Sequence, residues 1–276
     1  MERVADYVMR RLHEAGVGLV FLVTGRGILF LTDALAKEEG LTPVPTYHEQ
    51  GASYAAMAYA QARGGLGACL VSTGCAATNA VTAALCAWQD NVPVIFISGQ
   101  HMLHETTAYT KLPIRTYGSQ EADIISVVKP ITKYAVMLQD AKDIAVELDK
   151  SFHFAMTGRK GPVWIDIPLD LQNARIDSEK LERCALEDVC PRIAAGEMSE
   201  IIAGLSEAER PILLLGGGVC SAGAQQFAAE FVQKVHIPVV FTPAAADAYG
   251  SAHALSIGAV GSIGGSRAGN FVLQHA

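Results

Sequence analysis

The chain has 276 residues, of which half are hydrophobic and 18% are charged, and its formal net charge is −7. This length and hydrophobic content predict about two folded domains and argue against intrinsic disorder. The acidic balance argues against a nucleic-acid partner, and the lack of an apolar run of roughly 18 residues argues against a membrane-spanning helix.

Short apolar runs alternate with helical patterns through the first 175 residues. We predict helices over residues 2–15, 28–38, 50–63, 79–88 and 141–157. We predict strands over Leu19–Val23, Thr42–Thr46, Ala68–Ser72, Val92–Ser98 and Val163–Ile167. Uninterrupted runs of this kind are typical of parallel strands that are covered on both faces. The expected fold class is therefore α/β, with a doubly wound, mostly parallel sheet and helices on both faces.

The pattern changes after residue 175, where the first predicted domain, residues 1–175, ends. Residues 176–195 carry charged residues and Pro191 without a steady period, which predicts a linker. Residues 196–276 predict a second, incomplete α/β domain of the Rossmann-like type, with two helices and the strands Pro211–Leu215 and Pro238–Thr242. This unit is short for such a domain, since typical domains have roughly 100–150 residues. We therefore expect a truncated chain.

Six cysteines are spread along the chain without Cys-x-x-Cys spacing. In a chain of this size they predict reduced thiols and not a disulfide framework. The N-terminal residues Met1–Asp6 include acids and lack the apolar segment of a secretory signal. We therefore expect a cytoplasmic protein.

Glu49 follows a predicted strand and lies at the start of a predicted helix. The turns at Gly25–Gly27 and Gly74–Asn79 follow two other predicted strands, so all three places are expected at one end of the parallel sheet. Open α/β sheets bind their ligands at that end. A carboxylate at a helix start is also favoured by the helix dipole alone. The sequence leaves a functional and a purely structural role for Glu49 open.

The glycine turns and histidines match no common phosphate, nucleotide or metal motif. The turn from Gly74 to Asn79 lacks the lysine and the spacing of a phosphate-binding loop. Its small residues favour the approach of a flat ring, with Ser72 and Asn79 as polar contacts, although a simple helix-capping turn is an alternative. Gly216–Gly218 follows a strand but lacks the third glycine of a dinucleotide-binding loop, and His101–Glu105 has no zinc-protease spacing.

A series of short motifs occurs in one order along the chain. It comprises Gly25-x-Gly27, His48-Glu49-Gln50, Gly74 with Thr78-Asn79, Gly99-Gln100, Gln120–Ile124 and Thr157–Pro168. This series resembles the N-terminal pyrimidine-binding domain of thiamine-diphosphate enzymes of the acetolactate synthase type. The resemblance covers residues 1 to about 170, and residues 196–276 resemble the first part of the central domain of that family.

The resemblance implies that Glu49 is the catalytic carboxylate and bonds N1′ of the aminopyrimidine ring of the cofactor. In that family this contact promotes loss of the thiazolium C2 proton, and the cofactor then carries the chemistry. Three further positions match residues that line the pyrimidine: Gly25, Ser72 and Asn79. Two more match residues on the substrate side, near the thiazolium, where they would stabilise a developing oxyanion: Gln100 and Gln120.

The implied function is decarboxylation of a 2-keto acid, with pyruvate as the expected substrate, and transfer of the acyl unit to a second carbonyl. The implied pathways are branched-chain amino acid or surface-sugar biosynthesis. The implied cofactor is thiamine diphosphate with Mg²⁺, and some relatives also keep a structural flavin, FAD, which the sequence leaves open. In this family the pyrimidine domain faces the diphosphate domain of another subunit, so a homodimer or homotetramer is expected.

Two alternatives to this function stay open. One is a non-oxidative 2-keto acid decarboxylase of the same cofactor class, which would release an aldehyde without ligation. The other is a non-catalytic partner that retains the fold.

The sequence departs from the family pattern in three respects. Cys75-Ala76 stands where family members usually have Pro-Gly, and Arg26 stands between the glycines of the first turn. The Gly-Asp-Gly motif, which in this family begins the diphosphate and Mg²⁺ site, does not occur in the 276 residues. We therefore expect this chain to be inactive alone, either as a piece of a longer enzyme or as one that needs a partner chain to supply the diphosphate domain.

Overall fold

Six parallel strands form the sheet of the first unit in the computed structural model, which describes residues 1–188 and 192–276. The strands are β1 (Leu19–Leu22), β2 (Thr42–Pro45), β3 (Gly67–Val71), β4 (Val94–Gln100), β5 (Tyr134–Met137) and β6 (Val163–Pro168). Their order across the sheet is β2-β1-β3-β4-β6-β5, and every neighbouring pair is parallel. The predicted fold class, a parallel α/β sheet, is confirmed.

Helices connect these strands and cover both faces of the sheet. They are α1 (Val4–Glu14), α2 (Leu29–Leu35), α3 (Glu49–Arg63), α4 (Cys75–Asn79), α5 (Val81–Asp90), α6 (Thr107–Thr110), α7 (Ile124–Val128), α8 (Ile144–Met156) and α9 (Leu169–Asn173). A two-residue antiparallel pair, Glu2–Arg3 with Arg175–Ile176, joins the beginning of the unit to the segment after β6.

Successive strand residues enter two separate hydrophobic cores because strand side chains alternate between faces. Leu22 and Ile95 lie in the core that also contains residues of α1, α2 and α8. Phe21 and Phe96 lie in the core on the other face, with residues of α3 and α5. Phe96 stacks on Trp164 at a ring-centroid distance of 5.0 Å. Two buried faces explain why the central strands β3 and β4 are largely apolar.

The strand order reverses between β1 and β3. The chain passes from β1 outward to β2 at one edge, then returns to place β3 on the other side of β1. The loops that leave the carboxyl ends of β1 and β3 therefore run in opposite directions and open a crevice between them. Such a switch point is where open α/β sheets bind ligands.

The structure corrects several predicted elements. The short edge strand β5 was missed because only Met137 of its residues is buried, so the sequence shows no apolar run there. The helix predicted over residues 79–88 begins at Val81 and is preceded by the separate turn of helix α4. The helix predicted over residues 28–38 ends at Leu35.

The second unit begins after Asp188 and has its own three-stranded parallel sheet. Its strands are β7 (Leu213–Leu215), β8 (Val239–Phe241) and β9 (Ser256–Ala259), in the order β9-β8-β7. Its helices are α10 (Ala195–Glu207), α11 (Gly218–Ser221), α12 (Gln225–Val235) and α13 (Arg267–Gln274). The sequence reasoning missed β9, which lies at the edge of a glycine-rich stretch, and α13.

The boundary between the two units falls inside the segment predicted as a linker, residues 176–195. Residues before it are attached to the first unit: Arg183 forms an ion pair with Asp149 at 2.8 Å, and the Cys184 N–H donates to the same carboxylate at 3.0 Å. Residues 189–191 of the predicted linker lie outside the described residues. Neither described range contains a helix that is long and apolar enough to cross a membrane.

Candidate functional site

A cavity of about 400 Å³ opens at the switch point of the first unit, beside the carboxyl ends of β1 and β3. Five of the six predicted site residues line it: Gly25, Glu49, Ser72, Asn79 and Gln120. Residues from three separate loops and two helices therefore meet in one place, although they are far apart in sequence.

Glu49 reaches the cavity because α3 begins there. The side chain of His48 accepts a hydrogen bond from the Gln50 N–H at 3.1 Å and caps the helix, which leaves Glu49 in the first turn. Asn79 Nδ2 donates to Glu49 Oε2 at 2.9 Å. Glu49 Oε1 has no hydrogen-bond partner among the residues that the structure describes. Glu49 therefore presents one oriented oxygen and one available oxygen to a ligand.

Gly74 brings the Gln120 segment against the cavity. Its φ of +54° lies in the region that favours glycine, and a Cβ at this position would collide with the carbonyl oxygen of Gln120. Gln120 itself adopts a φ of +62°. The two loops are therefore packed backbone to backbone, and a residue with a side chain at position 74 would push Gln120 away.

The turn from Gly25 to Gly27 is fixed from two sides. Ser72 Oγ accepts a hydrogen bond from the Gly27 N–H at 3.2 Å, and Gln172 Nε2 donates to the Gly27 carbonyl at 2.6 Å. A Cβ on Gly27 would collide with the Thr73 hydroxyl. The turn therefore forms a rigid wall of the cavity. Its close packing requires that position 27 has no side chain.

Gln100 does not line the cavity. Its side chain is buried, and Nε2 donates to the carbonyl of Ala122 at 2.7 Å, while Oε1 has no hydrogen-bond partner among the described residues. The structure thus links Gln100 to the segment after Gln120, and its predicted role on the substrate side stays a prediction.

A buried polar cluster lies between β4 and β6. Trp164 Nε1 donates to Ser98 Oγ at 2.8 Å, and Ser98 Oγ donates to Asp166 Oδ1 at 2.5 Å. Burial raises the pKa of Asp166 to about 8, which favours the neutral form of this carboxyl group near pH 7. The sequence reasoning gave Asp166 no role, although an acid within the apolar strand Val163–Pro168 is the signal that could have drawn attention to it.

Several cavity residues had no assigned role in the sequence analysis. Thr73 Oγ1 is buried and has no hydrogen-bond partner among the described residues. Arg26 and His101 also line the cavity, as do Cys75 and Ser119. All of them are sequence neighbours of motif residues, but the direction of their side chains could not be read from the sequence. The cavity combines one carboxylate, one arginine and several hydroxyl groups with a floor of small residues.

A larger cavity, of about 530 Å³, lies beside α1 and α2. Most of its charged residues are paired: Arg3 forms ion pairs with Asp6 at 2.5 Å and with Asp33 at 2.8 Å, and Lys37 pairs with Asp33 at 2.7 Å. Arg175, which also lines this cavity, forms no ion pair among the described residues. The paired groups leave little for a ligand to bind, and five of the six predicted site residues line the cavity at Glu49, which is therefore the better candidate.

Two family models match the chain. Residues 2–127 match the N-terminal TPP binding domain of thiamine pyrophosphate enzymes, and residues 198–276 match the central domain of the same enzymes. All residues that line the Glu49 cavity fall within the first match.

The chain is also similar to curated acetolactate synthases. It is 36% identical over 261 residues to the large subunit from Corynebacterium glutamicum, covering 93% of this chain and 40% of that protein. It is 33% identical over 272 residues to the isozyme 1 large subunit from Escherichia coli, covering 99% and 46%. It is 34% identical over 273 residues to the acetolactate synthase from Arthrospira platensis, covering 96% and 46%. The chain thus spans less than half the length of these relatives.

Proposed function

This chain belongs to the thiamine pyrophosphate enzymes, and we propose that its first unit holds the aminopyrimidine ring of thiamine diphosphate for an acetolactate-synthase-like reaction. The observation that carries the proposal is the pairing of Glu49 with Asn79 in the switch-point cavity. The similarity to acetolactate synthases supports the same reaction class.

The cavity residues fit an aminopyrimidine ring. Glu49 Oε1 is available to a ring nitrogen, and the buried Thr73 hydroxyl has no protein partner among the described residues. Gly25 and Ala76 line the cavity and have no side chain beyond Cβ, so a planar ring could approach the backbone there. A planar ring with hydrogen-bonding nitrogens could bond both the Glu49 carboxylate and the Thr73 hydroxyl.

The residues of this chain orient the cofactor and manage one proton. When bound, thiamine diphosphate would supply the electron sink that decarboxylation of a 2-keto acid and transfer of its acyl unit to a second carbonyl require. Glu49 holds a proton at N1′ of the pyrimidine, and the Asn79 amide fixes the direction of the carboxylate. Gln120 lines the same cavity and donates to a developing oxyanion.

The finer parts of the proposal extend beyond this chain. Mg²⁺ and the diphosphate need oxygen ligands, which we assign to a further domain of the same protein or to a partner chain. A homodimer or homotetramer would join the two halves of the site. Pyruvate is the proposed substrate, the flavin stays open, and the free cysteines among the described residues agree with a cytoplasmic enzyme.

Glu49→Gln in the complete gene product tests this function. With thiamine diphosphate and Mg²⁺ present, we expect the wild-type protein to convert pyruvate into acetolactate and CO₂. The variant should lose roughly 10²- to 10⁴-fold in kcat because the amide cannot hold the proton. Acetaldehyde as the main wild-type product would indicate the non-oxidative decarboxylase instead. Equal behaviour of the variant and the wild-type protein would favour a non-catalytic chain.

A further inference from the structure

We propose that Arg26 binds the acid group of the substrate, so that the site selects 2-keto acids by their negative charge. The proposal rests on the proposed function, since it places the substrate in the cavity with Glu49. It goes beyond that function because it assigns a specificity-determining residue and states which part of the substrate it recognises.

The backbone that carries Arg26 is held rigidly. Its two neighbours, Gly25 and Gly27, pack closely against the residues that follow β3. A Cβ on Gly25 would collide with Ser72, and one on Gly27 would collide with Thr73. The Gly27 peptide is also hydrogen-bonded on its N–H and its carbonyl. A side chain on such a wall loses little further backbone freedom when it binds a ligand.

The guanidinium group of Arg26 has no partner among the residues that the structure describes. Within residues 1–188 and 192–276 it forms neither an ion pair nor a hydrogen bond, whereas Arg3 and Arg11 of the same unit each pair with a carboxylate. Arg26 lines the cavity, where Glu49 is the only carboxylate among the lining residues. Asn79 already orients Glu49, and His101 lies 3.5 Å from Glu105. Arg26 is therefore the cationic group of the cavity that lacks a counterpart.

An unpaired arginine in a cleft favours an anionic ligand. Its five N–H donors form a planar fork that matches a carboxylate in a bidentate manner. Two anions belong to the proposed reaction: the acid group of the keto acid and the diphosphate of the cofactor. We assign Arg26 to the acid group because it lies in the same cavity as Glu49, at the pyrimidine end of the proposed site.

Arg26→Gln in the cofactor-loaded complete gene product tests the assignment. We expect the KM for pyruvate to rise roughly tenfold to hundredfold, the loss typical of one charge-assisted hydrogen bond or ion pair. We expect the Kd of thiamine diphosphate, measured by calorimetry, to stay within about twofold. In competition between pyruvate and acetaldehyde as acyl acceptors, the product should shift from acetolactate toward acetoin. Arg26→Lys should fall between the two because it keeps the charge and loses the fork.

A binding measurement separates this inference from the proposed function. Oxamate, a carboxylate that mimics pyruvate without reacting, should bind the cofactor-loaded wild-type protein and bind Arg26→Gln at least tenfold more weakly. This result would support Arg26 as an acid-group site even if no acetolactate were formed. Arg175→Gln, which changes an exposed arginine outside this cavity, is the matched control and should leave both KM and oxamate binding unchanged.

Two results would overturn the inference. Weaker binding of thiamine diphosphate, with an unchanged KM at saturating cofactor, would assign Arg26 to the diphosphate. Identical values for Arg26→Gln and Arg175→Gln would mean that Arg26 contacts no ligand.

Discussion

The cavity at Glu49 and the polar cluster at Asp166 belong to one sheet, but they differ in how their polar groups are paired. In the cluster, Trp164, Ser98 and Asp166 form a chain of hydrogen bonds at 2.8 and 2.5 Å, and all three residues are buried. In the cavity, Glu49 and Arg26 each keep polar groups that have no partner in the described part of the chain, and both residues are accessible.

This contrast indicates two different roles: the cluster stabilises the fold, and the cavity binds a ligand. A buried polar chain whose members bond one another contributes to stability, and removing one member leaves the others unsatisfied. An accessible polar group without a partner contributes little to stability and is available to a ligand. Substitutions in the cluster should therefore change stability, while substitutions in the cavity should change binding and activity.

The largest effect is expected at Gly74, because a side chain there would change both the stability of the fold and the shape of the cavity. Gly74→Ala should lower stability and also abolish binding of thiamine diphosphate, because its Cβ would displace Gln120. The positive φ alone costs about 1–3 kcal/mol for a residue with a side chain. Urea unfolding and calorimetric titration with the cofactor measure the two losses.

Gly64→Ala is the matched control for Gly74→Ala. Gly64 has a φ of +74° but no atom within 4 Å of the position of a Cβ. It should therefore show the strain without the collision, and cofactor binding should remain. If both variants bind the cofactor equally, the packing of Gln120 on Gly74 does not shape the site.

Ser98→Ala should have the next largest effect, on stability alone. Its hydroxyl accepts from Trp164 and donates to Asp166, so the substitution leaves two buried polar groups without a partner. The expected loss is about 2–4 kcal/mol at pH 7. Denaturant unfolding followed by the fluorescence of the buried Trp164 measures it. A kcat reduced tenfold or more in the folded variant would argue against a purely supporting role.

The sequence predicted the middle of the sheet and the edge strand β2, but it missed β5 at the other edge. Val94–Ile97 is a continuous apolar run because these residues are buried on both faces, and the prediction there was close. In β5, the first three residues, Tyr134, Ala135 and Val136, are only partly buried, so the sequence shows no apolar run there. Because the pattern of hydrophobic residues reports burial, it gave no signal for this partly buried edge strand.

The sequence likewise predicted only part of the candidate site. Gly25, Ser72 and Asn79 follow or flank strand ends, so their presence at the switch point could be inferred from parallel topology. Gln120 lies in a long loop, and its position depends on the packing of its carbonyl against Gly74. The sequence shows that Arg26 is unusual between two glycines. Only the folded chain shows that its guanidinium group has no ion-pair or hydrogen-bond partner among the described residues.

The pH dependence of stability should carry the signature of Asp166. Burial raises its pKa from 3.8 to about 8, so between these values the folded protein keeps a proton that the unfolded chain has lost. Stability gained from the neutral form is therefore lost as the pH rises toward 8. Between pH 6 and pH 8 the free energy of unfolding should fall by about 2–3 kcal/mol, at most 1.4 kcal/mol for each pH unit.

Asp166→Asn provides the comparison for this pH series. Asparagine is nearly isosteric and keeps an oxygen acceptor for the Ser98 hydroxyl, but it does not ionise. The variant should show a flatter dependence from pH 6 to pH 8, and it should be more stable than the wild-type protein at pH 9. Parallel curves for the two proteins would mean that Asp166 is ionised in the fold.

The smallest change in free energy, and the sharpest test of the contrast, is expected for Asn79→Ala. Asn79 is exposed and donates one hydrogen bond to Glu49, so its loss should change the free energy of unfolding by less than about 0.5 kcal/mol. Without that bond the carboxylate is no longer held toward the pyrimidine, and kcat should fall roughly tenfold. Thr78→Ala is the control, because its hydroxyl bonds only the Cys75 carbonyl. Ser98→Ala and Asn79→Ala should thus give opposite results: one less stable and active, the other stable and slow. If Asn79→Ala also lost stability and kept its kcat, the cavity and the cluster would not differ as their hydrogen bonds indicate.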